Sequence, residues 1–186
     1  MYLGTNEQVP EIFYNPKNLT ISIEPVYMNY IRLLNNLRLN HLPFNNCFNV
    51  AASNKEDIIK FDNRTKINYL SQSAKIDPYG KDQIKTVILD NFSFENKNFP
   101  INCMKIDTEG YEIEVLEGSK KIIQTYFPDI FIELNERSAD KCIHFLKEFG
   151  YCCFFIEFLS SNFVGRFSFA RPYLLTVLYF INYKFA

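Results

Sequence analysis

The chain predicts an α/β fold, a mostly parallel sheet with helices on both faces and an antiparallel C-terminal hairpin. Three observations carry this. Short apolar, β-branched runs alternate with stretches whose apolar residues recur at spacings of three and four, and that order builds parallel sheets. Several runs end at or near a carboxylate (Glu24, Asp107, Glu133), where open α/β sheets gather their ligands. The last two runs, 151–159 and 174–183, follow each other with only a loop containing Arg166 and Arg171 between them, as a hairpin requires.

The bulk composition narrows the function. The 186 residues suit a single domain over 1–186, large enough to bury about 70% of its unfolded surface. Hydrophobic content of 47% and charged content of 22% are globular values. The 19 Phe and 12 Tyr rise together with Asn, Ile and Lys, the pattern of AT-rich coding rather than of an aromatic binding surface. A net charge of −1 supplies no field for nucleic acid or an anionic membrane. Five cysteines without a C-x-x-C spacing read as reduced, packed thiols of a cytoplasmic protein. No signal peptide is visible, and the apolar run 173–181 is about half the ~20 residues of a membrane helix.

Taken in order, residues 1–8 carry a short apolar start and a turn at Gly4. Pro10 and Pro16 confine any helix between them to about a turn. Residues 19–25 form a strand ending in Glu24, and Pro25 suits the first position of the following helix, whose inward residues are Val26, Tyr27, Tyr30, Ile31, Leu34 and Leu37. Residues 47–54 read as a third strand ending in small residues. Residues 55–84 are mixed and polar, a hairpin and a loop over a pocket. Residues 84–91 form another short strand. The stretch from Ile101 enters a strand, reaches Asp107-Thr108-Glu109-Gly110, and continues as a helix from 112 to about 126, in which Gly118 implies close packing. Residues 128–134 form a fifth strand, and 138–149 a helix with Cys142, Ile143, Phe145, Leu146 and Phe149 inward, stopped by Gly150.

Two strand ends carry chemistry. Glu24 stands 20 residues past the Gly4 turn (24 − 4), the separation at which a strand-end acid holds a cofactor ribose; its plainer role is to cap a helix. Lys105 precedes three acids in six residues, Asp107, Glu109 and Glu112; Lys105 and Asp107 could equally be an ion pair that only stabilises the turn. His41 and His144 have no metal-ligand spacing to acids, so no metal site is assigned. Asp107 and Glu133 alone make a weak case for one. There is no P-loop and no Ser-His-Asp order.

Residues 105–118, Lys-Ile-Asp-Thr-Glu-Gly-Tyr-Glu-Ile-Glu-Val-Leu-Glu-Gly, resemble the signature segment of the FkbM-type methyltransferases dependent on S-adenosyl-L-methionine. Glu24-Pro25 followed by Asn29, Leu33, Asn36, Leu39 and Asn40 is similar to a second family pattern, and Thr86-x-x-Leu89-Asp90 to the segment that precedes the signature. Residues 2–8 resemble the tail of the family's glycine-rich cofactor loop, with Gly4 and Asn6 in place, Gln8 where a glycine is expected, and the first strand missing or clipped. The resemblance implies a Rossmann-like methyltransferase sheet. It implies S-adenosyl-L-methionine held by Gly4, Asn6, Glu24, Pro25, Ala51, Ala52 and Asp107, with Ala51 and Ala52 beside the adenine. It also implies that Asp107 orients donor or acceptor, and that Lys105 or Glu109 takes the acceptor's proton. The acceptor would be an oxygen of a sugar, glycan or small metabolite. The alternative is a non-catalytic domain of the same fold with a degraded cofactor loop. A nicotinamide dehydrogenase is disfavoured by the absence of G-x-G-x-x-G.

Overall fold

The structure, a computed structural model, describes residues 2–3, 20–62, 75–76, 79–92, 100–108, 110–134, 138–156 and 176–182. In chain order the elements are strands β1 (Tyr2–Leu3) and β2 (Ser22–Ile23), helix α1 (Tyr27–Leu39), and strands β3 (Cys47–Phe48), β4 (Ala51–Ala52), β5 (Ile58–Asp62), β6 (Lys75–Ile76), β7 (Asp82–Val87) and β8 (Cys103–Ile106). Helices α2 (Glu112–Glu117) and α3 (Lys120–Tyr126) follow, then β9 (Asp129–Leu134), α4 (Ala139–Glu148), β10 (Tyr151–Ile156) and β11 (Thr176–Asn182).

Among the described residues, seven strands make one sheet in the order β10-β11-β9-β8-β1-β2-β3. From β3 through β9 every neighbour is parallel. β11 runs antiparallel to both β9 and β10. The fold is therefore the mostly parallel, Rossmann-like α/β sheet with a closing antiparallel hairpin. Its last strand is inserted between β9 and β10, where both its edges find partners. The signature strand β8 lies at the centre.

The core follows from alternation in the central strands. Met104 and Ile106 in β8, with Ile130, Ile132 and Leu134 in β9, are buried, while Lys105, Phe131 and Glu133 between them are only half-buried. The buried face joins Val115, Leu116, Ile122 and Ile123 of α2 and α3 and Cys142 and Leu146 of α4 in one cluster. Each large aliphatic side chain so buried contributes about 1.5–3 kcal/mol.

Several expectations need correction. Pro25 does not open the helix: α1 begins at Tyr27, with Val26 extended at its N-cap, because the Glu24 carboxylate accepts the Val26 N–H at 2.8 Å and delays the turn. Tyr27 is not inward but 62% exposed, and the polar Asn29 is buried instead. Residues 47–54 are not one strand. β3 joins the main sheet, whereas β4 pairs with β7 in a second sheet of order β4-β7-β5-β6, and the chain breaks at Asn49 and Val50. The strand expected at 84–91 is β7 in that second sheet, antiparallel to β5, and it stops at Val87 ahead of a turn at 89–91.

The helix expected over 112–126 is two helices, divided at Gly118 and Ser119. The close packing expected of Gly118 is present: a Cβ there would overlap the Ser53 carbonyl oxygen. Ser119 Oγ donates to Val115 O (2.7 Å) and ends α2. Asp90 then starts α3, its carboxylate accepting the Lys121 N–H (2.8 Å) and the Ile122 N–H (3.0 Å). No helix among the described residues is long and apolar enough to cross a membrane. The stretch between Pro10 and Pro16 and the Arg166–Arg171 loop lie outside the described residues.

Candidate active site at the carboxyl edge of the sheet

The order of the main sheet fixes where a ligand can enter. From β1 the chain builds outward through β2 and β3 on one side and through β8 and β9 on the other, so the strand order reverses beside β1. Open α/β sheets leave a crevice at such a reversal, outside the carboxyl ends of the strands. Ile23, Leu3 and Ile106 stand in one row across β2, β1 and β8. Glu24 and Asp107 are each the next residue along. The register therefore brings these two predicted acids to the same level of the same edge, on either side of β1.

Glu24 is held tightly. It is 3% exposed; its N–H donates to Phe48 O (3.1 Å), and its Oε1 accepts from Val26 N. Asn49 Nδ2 reaches across from the break after β3 and donates to Glu24 O (2.8 Å) and to Pro25 O (3.0 Å), clamping the turn. Burial pushes the Glu24 carboxyl up to about 7; the Val26 N–H and the Asn29 amide offset part of this, and the Asp107 charge adds a smaller upward push. Asn29, in the first turn of α1, thus stands beside the carboxylate. Its Nδ2 is buried and reaches no partner at full hydrogen-bond geometry.

Across β1, Lys105 and Asp107 project from the half-buried face of β8 and its end, and Lys105 Nζ lies 3.2 Å from Asp107 Oδ2. The following turn is closed from within the signature. Glu112 Oε1 accepts from Thr108 Oγ1 (3.1 Å) and from the Gly110 N–H (2.7 Å), with Gly110 at φ 106°, a conformation suited to glycine. Glu112 is therefore the lock of the turn. At the far end of the signature, Glu117 Oε2 accepts from Asn54 Nδ2 (2.6 Å).

Ala51 and Ala52 are 8% exposed and pack into two separate apolar clusters, Ala51 with Val26, Phe61 and Ile84, and Ala52 with the main core. Pro25 is half-buried beside Glu24. Gly4, Asn6 and Glu109 lie outside the described residues. His144 is 81% exposed and pairs with Glu148 (3.3 Å). Among the described residues no group of three or more His, Cys, Asp and Glu is placed to hold a metal ion.

Sequence reasoning missed Asn29 as a buried group and Asn49 as the clamp. Neither stands in a periodic pattern, and only Asn29 fell within a quoted motif. The Thr86-x-x-Leu89-Asp90 motif is structural. Thr86 Oγ1 accepts from the Asp57 N–H (2.7 Å) and donates to Lys55 O (2.8 Å), Leu89 is 1% exposed, and Asp90 caps α3. What the carboxyl edge offers a ligand is a buried carboxylate, an adjacent unpaired amide donor, and a second acid held by a lysine. That set suits a molecule carrying hydroxyls and positive charge.

Comparison with known proteins identifies the family. A family model described as the methyltransferase FkbM domain matches residues 2–153. No curated protein matches the chain. A crystal structure at 2.20 Å of a methyltransferase FkbM from Methylobacillus flagellatus KT superposes with a TM-score of 0.56 at 19% identity. The match covers 86% of this chain and 35% of that one, so the likeness extends over about a third of the neighbour's length. By the match of its family model over most of its length, the chain belongs to the FkbM methyltransferase family.

Proposed function

We propose that this single domain transfers a methyl group from S-adenosyl-L-methionine to an oxygen of a sugar, glycan or small metabolite. The observation that carries the reading is the pairing of Glu24 and Asp107 at one level of the carboxyl edge, flanking the strand that leads into Gly4 and Asn6. The donor fits the residues present. Its ribose hydroxyls suit the Glu24 carboxylate and the orphaned Asn29 amide, and its cationic groups suit an edge bearing two acids.

Bound there, the donor supplies an electrophilic methyl carbon on a sulfonium. The protein's part is chiefly to hold donor and acceptor in line. Glu24 accepts from the ribose, fixed by the Val26 N–H at Oε1 and by the Asn49 clamp on its carbonyl. The family resemblance gives Gly4 and Asn6, outside the described residues, the part of admitting the donor, and gives Ala51 and Ala52 a place beside its adenine.

Asp107 orients the donor's amino-acid end or the acceptor, steadied by Lys105 Nζ at 3.2 Å. That ion pair favours Lys105 as the cation that aims Asp107 over Lys105 as the proton acceptor, and it leaves the proton to Asp107 or Glu109.

Equilibrium dialysis with donor labelled in its methyl group, followed by a panel of sugar and metabolite acceptors, tests the reading. Retained donor and label transferred to an oxygen, reduced at least tenfold in Asp107→Asn, are expected. Donor that is not retained at all contradicts it. Donor retained but never transferred favours the non-catalytic alternative.

A further inference from the structure

Each of the two sheets has two margins, and among the described residues three of these four are very short. β3 at one end of the main sheet, and β4 and β6 at the ends of the second, are two residues each. β10 is the exception. It forms the other end of the main sheet and runs for six residues, Tyr151–Ile156. A margin strand presents a row of unpaired N–H and C=O groups, and shortness, charge, proline or a bulge keeps other chains from pairing with it. The three short margins use the first of these devices.

β10 uses none of them. Its sequence, Tyr-Cys-Cys-Phe-Phe-Ile, holds no Asp, Glu, Lys, Arg or Pro. Its pairing with β11 runs unbroken from Tyr151↔Asn182 to Ile156↔Val177, so no bulge turns the strand away. Among the described residues no strand pairs with its outer side. At its start Tyr151 is 3% exposed and belongs to the core, while Cys152 beside it is exposed to solvent.

A second copy of β10 fits this margin by symmetry. The two strands meet antiparallel about a two-fold axis normal to the sheet, each offering the other the same regular ladder. Directly opposed residues lie on one side of the joined sheet, so their numbers differ by an even count. The registers of greatest overlap therefore set Cys153 or Phe154 on the axis. An uncharged strand brings no like charges opposite one another in this pairing, and a net charge of −1 per chain adds little repulsion between copies. The arrangement closes after two copies, because each margin is used up by the other.

We propose that β10 is a dimer interface, at which two copies of the chain join their main sheets by antiparallel pairing of Tyr151–Ile156. Four strands, β10, β11, β9 and β8, separate this margin from β1, so the crevice beside β1 stays open in both copies.

Sedimentation velocity under reducing conditions, from micromolar to hundreds of micromolar chain, tests this. Wild type is expected to form a dimer and nothing larger. Cys152→Lys sets a charge on the exposed start of each paired strand and is expected to weaken the dimer by at least about tenfold. Ile58→Lys, at a 65% exposed apolar residue of the second sheet, is expected to leave dimerisation within about twofold of wild type. Hydrogen exchange of wild type needs no variant and decides the matter should Cys152→Lys fail to fold: on dilution the outward amides of β10 are expected to exchange faster, with those of β9 unchanged. A wild-type monomer throughout the range, assemblies that grow beyond two copies, a dimer untouched by Cys152→Lys or weakened equally by Ile58→Lys, or β10 exchange that does not depend on concentration overturns the proposal.

Discussion

At Glu24 a carboxyl that is 3% exposed, pushed up to about 7 from 4.5, sets stability against binding. Because the folded value lies above the free one, the native chain holds the extra proton between about pH 4.5 and 7. The group's contribution to stability is complete below that window, declines as pH rises through it, and levels off above it. A shift of this size corresponds to roughly 3 kcal/mol. Urea melts of wild type and Glu24→Gln at pH 5 and pH 8 check this. The variant is expected to gain on wild type by roughly 2–3 kcal/mol between the two, and a difference that does not change with pH contradicts it. Ligand hydroxyls that donate to the carboxylate favour its charged form, so affinity should rise over the same interval. Glu24 and Asp107 were legible because an acid directly after an apolar run marks a strand end. Asn29 and Asn49 were not, because a polar residue in a helix or a loop looks the same in sequence whether it faces water, a buried carboxylate or the backbone carbonyls of a turn.

Elements were legible in kind and less so in extent. The helical spacing across 112–126 is real, since Val115, Leu116, Ile122 and Ile123 all reach the core. The division at Gly118 comes from a residue 65 positions earlier (118 − 53), the Ser53 carbonyl against which the glycine rests. Local periodicity cannot register a contact of that kind. The same holds at Asn49, whose side chain turns to the Glu24 and Pro25 carbonyls where the strand was expected to run on. Both ends of the α2–α3 junction can be tested together. Gly118→Ala should cost about 1–3 kcal/mol through the overlap with Ser53, and Asp90→Ala about 1 kcal/mol through the lost cap on α3. Chemical denaturation of the single and double variants measures both. Because Asp90 N–H donates to Gly118 O at 2.9 Å, the two losses should sum to more than the double variant shows. Strict additivity, or a neutral Gly118→Ala, contradicts this picture of the junction.

At the scale of the whole molecule, the family-like segments divide their labour. Within the signature, Lys105 and Asp107 face the crevice edge, Glu112 locks the turn, Val115 and Leu116 enter the core, and Glu117 and Gly118 bind the chain to Asn54 and Ser53. Among the described acids of the motif, Glu112 and Glu117 are architecture, while Asp107 stands at the carboxyl edge of the sheet. The sheet order that makes the crevice was legible as a class, since alternation of strands and helices implies it. The second sheet and the inserted last strand were not, because pairing between distant strands leaves no mark on either segment alone.

The central claim is that the edge between Glu24 and Asp107 binds the methyl donor. Titration of the 186-residue chain with S-adenosylhomocysteine, in parallel with Glu24→Gln and at pH 6 and 8, tests it most directly. Saturable one-to-one binding that strengthens from pH 6 to 8 and is lost in Glu24→Gln is the predicted result. No heat of binding at millimolar ligand, or equal binding by Glu24→Gln, would contradict it.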